Sequence, residues 1–156
     1  MRLDAPGIPA RWRASLKNMP LEIIHREFEG IEILDLKGHL TIGQEDLDFR
    51  ADLDRLVTAG KIRVALNLSD LHKLDTTGLG TLLYAQATLR KAGGNLTVFN
   101  LKPAHIELLT AAKLEMVFDA FQNEQDAIDS YFPDRAVQRY DILQFVESKI
   151  LKGQKS

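Results

Sequence analysis

The sequence predicts one α/β domain in which helices pack against a mixed β-sheet that begins with a β-hairpin. Two apolar-rich runs, Leu21–Phe28 and Ile31–Gly38, flank Glu29-Gly30, a pair typical of a hairpin turn. Strand-like and helical patterns then alternate along the chain, which is typical of a sheet with parallel strands. The 156 residues are enough for a single domain with a buried core.

The segment after the hairpin predicts a short strand and a helix. The run "HLTI", residues 39–42, predicts a third strand that Gly43 ends. The spacing of apolar residues then predicts a helix from Gln44 to Ala59, followed by Gly60 as a helix C-terminal glycine. The apolar positions of this helix are Leu47, Phe49, Leu53, Leu56 and Val57.

The remaining elements continue the alternation of strands and helices. A buried strand is expected at Arg63–Leu68, and the glycines Gly93-Gly94 end the helix that follows it. The later elements are a strand at Asn95–Asn100, a helix from Pro103 to about Ala112, a brief apolar piece near Val117, and a helix from about Glu124 to Tyr131.

Both ends of the chain differ in pattern from the domain at residues 20–132. Residues 1–19 contain two prolines and no apolar signal-peptide core, so we expect a disordered leader or a short docking segment. Pro133 closes the domain. Residues 133–156 predict an extra C-terminal amphipathic helix that packs on its own domain; the alternative is a helix for partner binding or homodimer formation.

Composition argues against several classes of function. The net charge is −2, which does not favour nucleic-acid binding. The chain has no cysteine, which excludes thiol catalysis and fits a cytoplasmic location. No apolar run reaches the roughly 18 residues of a membrane span, so no direct membrane insertion is expected. The four histidines, which lack metal-ligand spacing, are His25, His39, His72 and His105.

The glycine-containing run "GLGTLL" does not fit a dinucleotide-binding motif. Its third glycine position is occupied by Leu83, and about nine residues separate Gly78 from the end of the predicted strand at Leu68. A dinucleotide site needs the first glycine in the tight turn directly after the strand. The sequence also lacks a phosphate-binding P-loop and a serine-hydrolase elbow.

The stretch from Asp75 to Gly80, "DTTGLG", is the strongest functional signal. Asp75, Thr76 and Thr77 are residue types that cap helix N-termini, and they stand where a helical pattern begins. Glycine inside a helix costs about 0.5 to 1 kcal/mol relative to alanine. Gly78 and Gly80 therefore indicate either that the backbone comes close to another part of the protein or that something else can approach it closely. A phosphoryl group on a hydroxyl here would be stabilised by the helix N-terminus and would change the surface charge.

The run "NLSDLHKLDTTGLGTLL" resembles the signature of the STAS domain, the fold of bacterial anti-sigma factor antagonists. The resemblance covers about Leu21 to Phe132 and includes "GGNLTVFNLKP". It departs from the usual pattern in having "NLS" for "DLS" and Thr76 for the usual serine. It implies a protein that is not an enzyme, needs no cofactor, and binds an anti-sigma serine/threonine kinase of the histidine-kinase-like ATPase type.

The resemblance also implies roles for individual residues. Thr76 would be the phosphorylation site, with a phosphatase reversing the modification. Asp75 would shape the docking surface together with a loop at residues 69–74, Thr77 would be structural, and Gly78, Leu79 and Gly80 would complete the partner-binding stretch. Relatives with threonine at the acceptor position leave an alternative open, which is a non-catalytic subunit of a stressosome-type scaffold or of an ABC lipid-transport complex.

Overall fold

The computed structural model describes residues 21–140 and residue 142. Within this part of the chain, five strands form one sheet in the order β1-β2-β3-β4-β5. β1 pairs antiparallel with β2, and all the other neighbours are parallel, which confirms the predicted mixed sheet. The strands are β1 (Leu21–Phe28), β2 (Ile31–Leu40), β3 (Arg63–Leu74), β4 (Asn95–Phe99) and β5 (Asp119–Phe121).

The predicted hairpin turn between β1 and β2 is confirmed. Phe28 pairs with Ile31, so only two residues connect the strands. Glu29 and Gly30 have φ values of 53° and 81°, and positive φ at both central positions is the turn type whose twist matches that of paired strands. Glycine adopts this conformation without strain.

Helices follow the parallel strands, as the alternating pattern predicts. The described part of the chain contains α1 (Gln44–Thr58), α2 (Thr76–Lys91), α3 (Pro103–Ala111) and α4 (Glu124–Asp129). Buried residues of α1, α2 and α3 belong to one core cluster, whereas those of α4 belong to another. The first three helices therefore cover one face of the sheet, and α4 covers the opposite face.

The two faces of the sheet bury cores of different size. The larger core joins the sheet to α1, α2 and α3 and includes Leu36, Phe49, Leu66, Leu82 and Ile106. The smaller core lies under α4 and includes Ile33, Phe99, Phe121 and Ile128. Alternate residues of the central strands serve the two cores, because side chains along a strand point to opposite faces.

Two strand predictions are wrong in detail. His39 and Leu40 belong to β2 rather than to a separate third strand, and residues 41–43 form the connection to α1. β3 does not end at Leu68 but continues to Leu74, so residues 69–74 are strand rather than loop. Two register shifts let this extension keep its pairing with β2, for example between Leu40 and Leu74.

The chain beyond α4 runs along the edge strand β5. Arg139 forms an ion pair of 3.2 Å with Asp119, and the N–H of Tyr140 donates to the carbonyl of Ala120 over 2.9 Å. Ile142 is buried in the larger core. The rest of the predicted C-terminal helix and the predicted leader at residues 1–19 lie outside the described residues.

Candidate functional site

The site begins where β3 gives way to α2, and Asp75 organises this junction. One carboxylate oxygen of Asp75 accepts a hydrogen bond of 2.8 Å from the N–H of Gly78, which caps α2. The other oxygen accepts from the N–H of Ile42 over 3.1 Å. Asp75 therefore ties the connection between β2 and α1 to the first turn of α2, and both of its oxygens are engaged in structural contacts.

Thr76 is the first residue of α2, and its side chain is exposed. No hydrogen bond joins its hydroxyl to another residue in the described part of the chain. Because Asp75 performs the capping, Thr76 is not needed as a cap. Thr77 is half-buried, and its carbonyl accepts from the hydroxyl of Thr81 over 3.1 Å. Of the two threonines, Thr76 is thus the more exposed.

The two glycines of the stretch stand in different surroundings. A Cβ on Gly78 would lie 2.0 Å from the carbonyl oxygen of Leu40 and 2.8 Å from the Cδ1 atom of Leu74. The expected close approach of the backbone is confirmed at Gly78. A Cβ on Gly80 would meet no described atom within 4 Å, so Gly80 makes no close approach to the described part of the domain, and its role in letting a partner approach closely stays a prediction.

Leu79 lies inside the domain rather than on its surface. Its side chain is 3% exposed and belongs to the larger core. Gly78 is also buried. Of the six residues predicted to bind a partner, these two can act only by holding α2 in place. The surface of the stretch comes from Thr76, with smaller contributions from Asp75, Thr77 and Gly80.

Two exposed apolar side chains near α2 were missed by sequence reasoning. Ile42 is 76% exposed, and its backbone N–H is bonded to Asp75. Leu47, in the first turns of α1, is 58% exposed, although the sequence places it on the apolar side of that helix. The spacing of Leu47 could have indicated its exposure. Leu47 is two positions from the buried Phe49, and residues two apart on a helix do not share a face.

Polar contacts fix α1 beside the start of α2. The hydroxyl of the buried Thr81 donates to the carboxylate of Asp46, which also accepts from Nε of Arg50 over 3.1 Å. These contacts, the Thr81 hydrogen bond foremost, lower the pKa of Asp46. Asp46 is therefore ionised at neutral pH, and Arg50 compensates its charge through an ion pair. The guanidinium of Arg50 stacks 4.5 Å above the ring of Tyr84 and adds a cation–π contact between the helices.

Neither a metal centre nor a membrane span is found in the described part of the chain. Residues 21–140 and 142 contain no group of three or more His, Cys, Asp or Glu side chains placed to hold a metal ion. Within the same residues, every helix lacks the length and hydrophobicity that crossing a membrane requires.

Comparison with protein families identifies the family to which this fold belongs. The family model of the STAS domain matches residues 22–127. The chain belongs to the STAS domain family. The match takes in β1 from its second residue, the other four strands and most of α4, so the candidate site lies inside the STAS domain.

Individual relatives of this STAS protein carry related names. It is 26% identical over 112 residues to the anti-sigma F factor antagonist of Paenibacillus polymyxa, a match that covers 71% of this chain and 93% of the relative. Its fold is similar to that of an anti-sigma factor antagonist from Mycobacterium paratuberculosis, with a TM-score of 0.62, 18% identity, and coverage of 70% and 92% of the two chains. It is also similar to the phosphorylated form of the Bacillus cell fate determinant SpoIIAA, with a TM-score of 0.55, 19% identity, and coverage of 71% and 98%.

Proposed function

We propose that this STAS protein is an anti-sigma factor antagonist that binds an anti-sigma serine/threonine kinase of the histidine-kinase-like ATPase type. Phosphorylation of Thr76 ends the binding, and a phosphatase restores it. The observation that carries the proposal is the exposed Thr76, whose hydroxyl has no partner among the described residues, at the first position of a helix already capped by Asp75. The similarity to the anti-sigma F factor antagonist supports the class of partner.

The surroundings of Thr76 suit a docking surface that a phosphate would disrupt. Ile42, whose N–H bonds Asp75, offers exposed apolar area next to the helix tip, and Leu47 offers more at the start of α1. A partner that covers this area must also remove water from position 76. A phosphothreonine carries a charge of about −1.5 to −2 at neutral pH, and burying such a charge without a cation is costly. Asp75 would add to the negative charge at the same place.

The phosphorylated side chain itself fits the helix tip. The first N–H groups of a helix lack intrahelical partners, and the helix dipole places partial positive charge there. A phosphate on Thr76 is therefore stabilised by α2 in the free protein. The modification would weaken binding to the partner without destabilising the antagonist.

The test is capture of binding partners from a lysate of the native organism. The baits are the wild-type protein, Thr76→Ala and Thr76→Glu, with mass spectrometry of the captured proteins and of the Thr76 peptide. We expect wild type and Thr76→Ala to capture an ATPase of the histidine-kinase type. We expect Thr76→Glu to bind it at least about tenfold more weakly, which corresponds to 1.4 kcal/mol.

Thr58→Glu is the matched control, because Thr58 is also an exposed threonine but lies at the last turn of α1. It should capture the kinase as wild type does. The proposal fails if Thr76→Ala and Thr76→Glu capture the kinase equally well. Equal capture of membrane-transport or scaffold subunits by all baits, without phosphate on Thr76, would instead identify a constitutive structural subunit.

A further inference from the structure

A crevice opens at the carboxyl ends of β4 and β5. The chain leaves β4 toward α3, on one face of the sheet, and leaves β5 toward α4, on the other face. When neighbouring parallel strands send their connections to opposite faces, the connections separate and leave a gap at the carboxyl edge. Open α/β sheets bind ligands at such topological switch points.

A cavity of about 500 Å³ occupies this crevice. Its polar lining consists of Ser69, in the part of β3 that extends past the end of β4, Asn100 and Lys102 after β4, and Gln122 after β5. Leu101, Phe121 and Tyr140 supply its apolar lining. Small-molecule sites are typically about 300–1,000 Å³ in volume, with apolar walls and a few converging polar groups.

The charge of the lining favours an anion. No carboxylate in the described part of the chain forms an ion pair with Lys102. Its ammonium lies 3.4 Å from Nδ1 of His72. A histidine ring carries no negative charge, so this contact does not compensate the positive charge of Lys102. The first turn of α3, which begins at Pro103, adds the partial positive charge of a helix N-terminus. Lys102 and α3 therefore attract negative charge to the same side of the cavity.

The polar groups are held in place by the fold. Asn100 has a φ of 59°, a conformation that asparagine tolerates better than most residues. Its side-chain amide donates to Oδ1 of Asn67 over 3.0 Å, and the amide of Asn67 donates to Asp35 over 2.9 Å. The backbone N–H of Lys102 donates to Nδ1 of His105 over 3.0 Å. These contacts orient the segment after β4 before any ligand arrives.

We propose that this crevice binds a small organic anion, a carboxylate or a phosphate monoester with an apolar body. The anionic group lies at Lys102 and the start of α3, and the body lies against Phe121 and Tyr140. The site is formed after β4 and β5, whereas Thr76 follows β3, so the crevice is separate from the phosphorylation site proposed above. It would give the STAS domain an input from a small molecule in addition to phosphorylation.

The test is a titration of the full-length, isotope-labelled protein observed by amide NMR. The probes are benzoate, phenyl phosphate, inorganic phosphate and the neutral benzyl alcohol. We expect saturable shifts at Asn100, Leu101, Lys102 and Gln122 with benzoate or phenyl phosphate. Benzyl alcohol and inorganic phosphate should each bind at least about tenfold more weakly. Benzyl alcohol lacks the anionic group, and inorganic phosphate lacks the apolar body.

Lys102→Gln tests the role of the cation. The substitution keeps the backbone N–H that bonds His105, so α3 should stay capped. We expect at least about fivefold weaker binding of the organic anion, because glutamine cannot make a charge-assisted hydrogen bond from a cation to the anionic group. Lys91→Gln is the matched control, because Lys91 is an exposed lysine at the C-terminal end of α2. This variant should bind the organic anion as wild type does.

Three results would overturn the proposal. The first is the lack of any saturable shift with benzoate and phenyl phosphate at millimolar concentration. The second is unchanged affinity in Lys102→Gln. The third is shifts that saturate but map to α2 instead of the segments after β4 and β5, which would place the ligand elsewhere.

Discussion

At the scale of single residues, the two glycines of α2 predict opposite effects of one substitution. Gly78→Ala would place a Cβ 2.0 Å from the carbonyl oxygen of Leu40, so the backbone of β2 or α2 must move. Forcing extra atoms into a packed core costs about 1–3 kcal/mol and sometimes more. We expect the free energy of unfolding to fall by at least about 2 kcal/mol, measured by urea denaturation with circular dichroism.

Gly80→Ala should instead stabilise the protein. A Cβ there meets no described atom within 4 Å, and alanine is favoured over glycine inside a helix by about 0.5 to 1 kcal/mol. The same urea denaturation should show that the free energy of unfolding rises by that amount. A loss of stability comparable to that of Gly78→Ala would mean that other atoms pack closely against Gly80.

For this stretch, the sequence predicted the local capping of the helix better than the surroundings of each residue. The capping by Asp75 follows from residue type and position, which are local properties. The contrast between Gly78 and Gly80 depends on Leu40, a residue distant in sequence, so no local pattern reveals it. For the same reason the sequence assigned Leu79 to a binding surface, although it packs in the core.

At the scale of elements, β3 shows why boundaries are harder to predict than element types. The run to Leu68 is apolar and reads as a buried strand, whereas residues 69–74 mix polar and apolar types. Their strand conformation comes from pairing with β2 after two register shifts. Only Leu71 in the extension is fully buried, so the apolar signal was too weak to detect without the neighbouring strand.

His105 joins α3 to this extended part of β3, and it predicts how stability depends on pH. Its Nε2 lies 2.8 Å from the carbonyl oxygen of Leu71, and its Nδ1 accepts from the N–H of Lys102. The neutral ring with a proton on Nε2 satisfies both contacts, and a second proton on Nδ1 would break one. Burial, with a smaller contribution from the charge of Lys102, lowers the pKa of His105 below its ordinary value.

The lowered pKa means that the unfolded chain takes up this proton at higher pH than the folded chain. Stability from His105 is therefore complete above about pH 6.5 and is lost as the pH falls toward the pKa of the folded state. One such group changes the free energy of unfolding by at most about 1.4 kcal/mol per pH unit. We expect wild type to lose stability between about pH 7.5 and pH 5.5 by urea denaturation.

The variant His105→Gln should be less stable at pH 7.5 but should show a flatter dependence on pH. His72→Gln, at an exposed position of β3, is the matched control for replacing a histidine by glutamine, and its pH profile is measured in the same way. Parallel pH profiles for wild type and His105→Gln would show that another group causes the loss of stability.

At the scale of the whole molecule, the predicted architecture is confirmed because it depends on the order of elements more than on their boundaries. Alternating strands and helices require a sheet with parallel strands, whichever residue ends each strand. The division of helices between the two faces was not predicted. That division creates the crevice after β4 and β5, so no local pattern of residues predicts a cavity there.

The segment after α4 is part of the folded domain, which leads to a last prediction. It covers the edge strand β5 through the bond from Tyr140 to Ala120, and it buries Ile142 at 3% exposure. Replacing a buried isoleucine by alanine costs about 2–5 kcal/mol. We expect Ile142→Ala to lower the free energy of unfolding by that amount, whereas Gln138→Ala, at an exposed position of the same segment, should change it by less than about 0.5 kcal/mol.

Truncation after Phe132 extends this test to the whole segment. It removes Ile142 and also uncovers the backbone groups of β5, and exposed edge strands favour association between chains. The truncated protein should therefore be at least as destabilised as Ile142→Ala and should elute earlier or aggregate in size-exclusion chromatography. If the truncated protein is monomeric and as stable as wild type, the edge of the sheet needs no cover, and the segment beyond α4 is free to serve a partner instead.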